Sequence, residues 1–390
     1  MVPATLRFFP TLPNPFAVVR VRDHNFSLLL GPAPRENPKI MSRFAATSLR
    51  RLTTDLFLAA GASATNADAT ATSLINNDLC GYESHGIMRT IRYIDRIRDG
   101  TLQPTAEVAI TRNRGANAVV DGGWGFGQVA AQAATAHARE LCREFGQAGV
   151  SVAHAHHVGR LGEYAESLAA DGLVAIVMSA GGGIGGAVAP HGGRQRLLGT
   201  NPYAMGVPTP EGEPPLVFDF ATSAIAEGKV AVAHANCTPL PPGCLIDRHG
   251  QPSVTAADFY TEGALLPFGG HKGYGLMLMI EILASVLADS APISDPAYRM
   301  GNPTLIIALD PTSFVECSHY DAMVAALMER IRTSPPAAGF ERVMLPGEPE
   351  TRIRQNRAQL GIPLSDGVWQ QLVTLASELD CTLPNPLATE

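Results

Sequence analysis

The segment ESHGIMRTIRY, residues 83–93, concentrates more reactive side chains than any other stretch of this chain. With Ser84 read as a helix cap, His85, Arg89 and Arg92 fall at i, i+4 and i+7 on one helix face. A guanidinium grips a carboxylate through two parallel N–H donors, and an imidazole passes a proton to or from an oxygen near neutral pH. Together they suit an enzyme acting on a small 2-oxo or 2-hydroxy acid. Spacing alone favours a plainer reading, a solvated basic face with a histidine at its start. A nucleophile elbow is excluded, because G-x-S-x-G fails by one residue between Gly81 and Gly86.

Three further runs invite chemistry. In HAHH, His154 and His156 share one face of a strand and His157 faces the other way. No cysteine or carboxylate follows at ligand spacing until Glu163, so the expectation is no metal and one histidine acting as acid or base at the strand end. In GGGIGG, Gly181, Gly183 and Gly186 make a G-x-G-x-x-G after a strand. The next residues, AVAPHGG, cannot open the long helix that a Rossmann pyrophosphate site requires. PFGGHKGYG (267–275) reads as a glycine turn into a helix N-terminus, with Lys272 as a point charge for a phosphate. Taken alone it reads as a turn only, and it is not a Walker loop.

The elements that must position these residues follow from periodicity. Helical spacing runs from 42 to about 100, with Asn66 capping a helix to Asp78, Ser84 capping another to Arg98, and Gly100 closing it. Strands are expected at 118–123, 150–155, 173–180, 215–221 and 304–310, with helices at 128–145, 160–171, 274–288 and from 319 to the end. A sheet-rich middle thus lies between helical ends, so the helical part is expected to be discontinuous in sequence. Residues 1–40 carry seven prolines and no helical period. They fit neither a secretory signal nor a transit peptide and read as a poorly ordered extension, with Met41 the preferred start.

Composition narrows the class. Among 390 residues, 29 Lys and Arg face 36 Asp and Glu, a net charge of −7 that argues against an electrostatic nucleic-acid binder. Charged residues at 17% and hydrophobic ones at 46% describe a compact globular protein. The six cysteines show no C-x-x-C spacing, which excludes a disulfide framework and a zinc signature and suits a reducing compartment. The longest apolar stretch, Leu276–Leu287, is interrupted by Glu281 and reads as too short to span a bilayer.

Eight pieces occur together and in order: SHGIMR (84–89), DGGWGFGQ (121–128), HHVG (156–159), APHGG (189–193), LGTNPYAMGVP (198–208), FDFATSAIAEGK (218–229), LLPFGGHKGYGL (265–276) and LPGEPE (345–350). In these the sequence resembles the malate/L-lactate dehydrogenase family of NAD(P)-dependent oxidoreductases, the type unrelated to Rossmann lactate dehydrogenases. The resemblance covers about 42 to 375. It implies an α/β fold in which a non-Rossmann cofactor domain with a mixed, largely antiparallel sheet (119–315) joins a discontinuous helical substrate and dimerisation domain (42–118 and 316–390). It further implies a cytoplasmic homodimer taking NAD or NADP and a small 2-oxo or 2-hydroxy acid, with no nucleic-acid or membrane partner.

Motif by motif, the resemblance makes His85 the proton donor with Ser84 beside it, His157 the other acid/base candidate, and Arg89 the carboxylate clamp. For the dinucleotide it points to Asp219, Ala221, Thr222 and Ser223, to His271 and Lys272, and to Gly347 and Glu348. Glu348 suits a ribose diol and Lys272 a phosphate. Two departures stand out: the family's Thr/Ser-Asn pair after the VAIVM strand is replaced by Ser179-Ala180 and extra glycines, and the region between Leu287 and Leu305 is shortened. Alternatives on the same fold are a cyclic imino acid reductase or a ureidoglycolate-type dehydrogenase. A dinucleotide binder without efficient turnover, and a metal hydrolase using HAHH, complete the set.

Overall fold

The computed structural model describes residues 42–387 apart from Ile184, so the extension read at 1–41 lies outside the described residues. Strand β1 (Arg43–Phe44) leads into helices α1 (Ala46–Ala59), α2 (Ala64–Leu79) and α3 (Arg89–Arg98). Two expected caps are corrected here. Ser63, not Asn66, caps α2 by accepting the Asn66 N–H at 3.2 Å, while the Asn66 amide donates to the Pro104 and Ala106 carbonyls. Ser84 caps nothing: a 3-10 turn at Glu83–His85 precedes α3, which opens only at Arg89. Gly86, extended at φ −91° and ψ −155°, breaks the helix between them. The buried Asp78 carboxyl group accepts the Ile87 N–H at 2.7 Å and holds that break. A β-carbon on residue 86 would lie 1.8 Å from Asp78 Oδ1, so only glycine fits.

The chain continues through β2 (Ala109–Arg114), β3 (Asn117–Gly125), α4 (Gly127–Phe145), β4 (Gln147–Ala155), α5 (Leu161–Ala170), β5 (Val174–Ser179), β6 (Pro202–Val207) and β7 (Leu216–Ala221). Next come α6 (Glu227–Ala235), β8 (Leu245–Ile246), β9 (Pro252–Ser253), α7 (Ala256–Tyr260), β10 (Ala264–Leu265) and α8 (His271–Ile280). The last elements are β11 (Thr304–Leu309), α9 (Cys317–Arg332), α10 (Glu348–Leu360), β12 (Ile362–Pro363) and α11 (Asp366–Glu378).

Seven strands form one sheet in the order β2-β3-β4-β11-β5-β6-β7. Only β3 and β4 run parallel, joined across α4, and every other pair is antiparallel. This is a mixed, largely antiparallel sheet. Val150, Val152, Val177 and Ile306 bury one face against Ala130, Ala134 and Ala138 of α4 and Leu161 and Leu168 of α5. The small alanines let the helix lie close, and each large side chain buried there contributes roughly 1.5–3 kcal/mol. The glycine run at 181–186 enters no helix among the described residues, in agreement with its exclusion as a Rossmann loop.

The opposite face is covered by α8 through Ile280 and by the turn that follows it through Ala284, packed on Met178, Ala180 and Leu305. Helix α8 continues as a π turn (Glu281–Ser285) and a 3-10 turn (Val286–Ala288), with Glu281 buried and accepting the Ile293 N–H at 2.8 Å. The whole run His271–Ala288 has 18 residues and a mean hydropathy of 1.2. That is enough by length and composition to cross a bilayer, which corrects the shorter stretch read from sequence. A second core unites α1, α2, α3 and α11 through Leu49, Leu52, Leu56, Leu74, Ile94 and Leu372. Strand β12 pairs with β1, so the two ends of the described chain meet in this core.

Candidate active site

The 3-10 turn before α3 and the loop after β4 bring two imidazoles face to face. The His85 and His157 rings are 5.2 Å apart between centroids and inclined by 29°. Ser84 Oγ lies 2.9 Å from His85 Nδ1, and the Ser84 carbonyl accepts Arg89 Nε at 2.5 Å. Asn77 donates to the His85 carbonyl at 3.2 Å, and Arg160 Nε donates to Asn77 Oδ1 at 3.3 Å. Gly228, at the start of α6, approaches Ser84, so the end of the FDFATSAIAEGK motif borders the same cluster. His85, Ser84, Arg89 and His157 therefore share one half-buried site, although His85 is not on the helix that carries Arg89. Arg92 is turned outward and exposed.

Both imidazoles are held neutral. Removal from water pushes His85 down to about 3, helped by the charges of Arg89 and Arg160. His157 is pushed well below its ordinary value first by the same desolvation, then by Arg89 and His85. On its far side, His157 Nδ1 lies 2.6 Å from the Tyr93 hydroxyl, which accepts Gln128 Nε2–H at 2.8 Å. Sequence reasoning named neither residue, yet both lie in quoted motifs, and Tyr93 sits one helical turn beyond Arg89. Asp78 was also missed; its signal was an acid in the last turn of a helix, where the macrodipole disfavours it.

The other histidines of HAHH separate. His156 is buried and bonds the Thr101 carbonyl at 2.8 Å. His154 takes a left-handed backbone, φ 47°, pairs with Asp121 at 2.9 Å, and lines a cavity of about 250 Å³ with Trp124 and Tyr298. Strand alternation thus ends at His154, and its shared face with His156 is lost. No group of three or more His, Cys, Asp or Glu able to hold a metal occurs among the described residues.

The residues implied for a dinucleotide gather along β7, the outermost strand on one side of the sheet. A cleft lined by Tyr82, Arg160, Asp219, Gly347, Glu350 and Arg354 opens between β7, α5 and the N-terminus of α10. Burial raises Asp219, whose carboxylate accepts the Gly162 N–H at 2.7 Å. Gly347 caps α10 at φ 91°, against Val217. At the other end of β7, Ala221 is half-buried, and the Thr222 and Ser223 hydroxyls donate inward to backbone carbonyls. Phe268 N–H donates to the Thr222 carbonyl, which sets the GGHKG turn beside that strand end, with His271 and Lys272 exposed. Glu348 does not line the cleft: its carboxylate accepts Arg332 Nε at 2.8 Å and the Leu345 N–H at 3.1 Å. The carboxylate at the cleft from that motif is Glu350, which accepts the Tyr82 hydroxyl at 3.1 Å.

Comparison with known proteins follows the same lines. The family described as malate/L-lactate dehydrogenase matches residues 44–373. The L-lactate dehydrogenase of Cupriavidus necator is 36% identical over 349 residues, covering 88% of this chain and 99% of the relative. A putative malate/lactate dehydrogenase from E. coli superposes with a TM-score of 0.82 at 35% identity, covering 87% of this chain and 96% of the other. The delta1-piperideine-2-carboxylate reductase from Pseudomonas syringae superposes at 0.76 with 32% identity, covering 86% and 99%.

Proposed function

The chain belongs to the malate/L-lactate dehydrogenase family, and from that premise we propose that it moves hydride between a nicotinamide dinucleotide and C2 of a small 2-hydroxy or 2-oxo acid. The observation that carries this reading is the meeting of His85, His157 and Arg89 in one site. Arg89 is aimed by its Nε bond to Ser84, and among the described residues its two Nη groups have no partner, leaving both for a substrate carboxylate. A carboxylate bound there offsets a charge that keeps the imidazoles unprotonated, so substrate arrival eases proton exchange at the C2 oxygen.

The bound nicotinamide supplies or accepts the hydride. The β7 lane fits such a group: an outermost strand, a glycine-capped helix N-terminus at Gly347 and an exposed cation at Lys272. Lys272 would meet a phosphate, His271 and the backbone at Ala221–Ser223 would border it, and Asp219 and Glu350 stand nearest a ribose. NAD and NADP both remain within this reading. The exposed apolar side chains Met279, Ile282, Leu283, Val286 and Leu287 support a homodimer, and the free cysteines support a cytoplasmic setting.

The test is a panel of pyruvate, oxaloacetate, a cyclic ketimine acid and ureidoglycolate with both cofactors, followed at the nicotinamide absorbance band. Turnover of pyruvate or oxaloacetate is the expected result; oxidation of ureidoglycolate alone would move the assignment to the ureidoglycolate-type alternative. Turnover of the ketimine alone would move the assignment to C=N reduction, a reading to which the likeness to the piperideine-carboxylate reductase lends only weak support. Cofactor binding with no turnover on any member would sink it.

A further inference from the structure

The two imidazoles differ in what holds their inner nitrogen. Tyr93 is 3% exposed and Gln128 fully buried. Desolvation raises the phenol to about 12, so it carries its proton. Gln128 Nε2–H already donates to the phenol oxygen, and among the described residues the only acceptor within reach of the phenolic O–H is His157 Nδ1. With the Gln128 amide in this orientation, its Oε1 buried without a partner among the described residues, the Tyr93 proton points at Nδ1, which then carries none. His85 Nδ1 instead faces Ser84 Oγ, a rotor that donates or accepts as required.

We propose that Tyr93, oriented by Gln128, is a positioning residue that locks His157 as its Nε2–H tautomer. His157 then serves as a neutral hydrogen-bond donor to the substrate oxygen, while His85 exchanges the proton. The tautomer rests on the geometry alone; its use on a C2 oxygen rests on the function proposed above. A neutral imidazole donating to a carbonyl polarises it toward hydride attack without changing its own protonation. His85 can gain or lose a proton and keep its bond to Ser84, because the hydroxyl turns over with it. His157 has no such freedom, since reversing its bond would require Tyr93 to lose its only acceptor.

The decisive measurement is ¹⁵N NMR of the full-length protein labelled at histidine, at neutral pH and without substrate, with His157 assigned by its loss in His157→Gln. The expected spectrum shows an unprotonated Nδ1 and a protonated Nε2 for His157; a protonated Nδ1 overturns the proposal even if the enzyme turns over. In Tyr93→Phe the lock is removed, so a mixed tautomer is expected, with kcat lowered about 100-fold, within the range for well-placed proton-handling groups. An unchanged single Nε2–H tautomer in that variant would equally overturn the assignment. His157→Gln keeps an N–H donor and should retain more activity than His85→Gln, which cannot exchange a proton. Equal losses would refute the division of roles.

Discussion

Around His157 the polar side chains are committed within the cluster: Gln128 to Tyr93, Tyr93 to His157, Ser84 to His85, and Arg89 Nε to the Ser84 backbone carbonyl. Along β7 the polar side chains are spent inward instead. Asp219 holds Gly162, Thr222 and Ser223 hold neighbouring carbonyls, and Glu348 holds Arg332. What β7 and its flanking turns present outward is the Phe218 ring, the exposed His271 and Lys272, glycine and backbone, with Glu350 at the cleft. On the function proposed above, the first region would handle a proton, where the identity and direction of single N–H and O–H groups decide the outcome. The second would accommodate a long, flat, charged ligand, for which close approach and dipole direction matter more than any one side chain. Side-chain changes should therefore damage the first region, and backbone changes the second.

The sharpest way to break this contrast is Arg89→Leu. Removing a charged partner of a bound carboxylate costs on the order of 2–5 kcal/mol, so kcat/KM for a 2-oxo acid should fall about 100-fold or more while dinucleotide affinity stays put. Steady-state kinetics beside a cofactor fluorescence titration checks both halves; intact kcat/KM would remove Arg89 from the site.

A smaller effect is expected from Gly347→Ala. Its φ of 91° is strained for alanine, and the added carbon would sit 3.2 Å from the Val217 nitrogen. With strain of about 1–3 kcal/mol, cofactor affinity should weaken roughly tenfold while kcat at saturation is retained. A fall in kcat with affinity unchanged would mean that α10 serves the proton-handling region rather than the lane.

The smallest effect concerns stability rather than turnover. Burial pushes Asp78 up to about 8 from 3.8, so the folded protein keeps a proton that the unfolded chain releases between those values. The stability linked to Asp78 is complete below 3.8 and is lost as pH rises through 8. His85, pushed down to about 3, runs the other way: its contribution is present above 6.5 and is lost as pH falls toward 3. Asp78→Asn keeps an acceptor for the Ile87 N–H and removes the first slope. Thermal unfolding should show the variant gaining on wild type as pH rises from about 5 to about 8.5. Parallel curves would show that the carboxyl is ionised in the fold.

Much of this was legible in the chain. The apolar runs at 150–155, 173–180 and 304–310 are strands, the alanine-rich stretch is α4, and the glycine run opens no helix among the described residues. Hydrophobic period and glycine placement act over a few residues, so spacing records them. The pairing of His85 and Arg89 was also readable, because a 3-10 turn running into a helix keeps residues four apart close.

What only the tertiary structure decided is which groups of distant origin meet. Tyr93 reaches His157 across 64 positions and Gln128 reaches Tyr93 across 35. Asp78 rather than Ser84 shapes the turn before α3, and Glu350 rather than Glu348 borders the cleft. Such choices come from packing two cores against each other, where a shift of an ångström exchanges one hydrogen-bond partner for another. The residue types and local periods of this chain therefore determined its sheet, helices and reactive groups; the direction of each proton donor was settled by contacts that no spacing encodes.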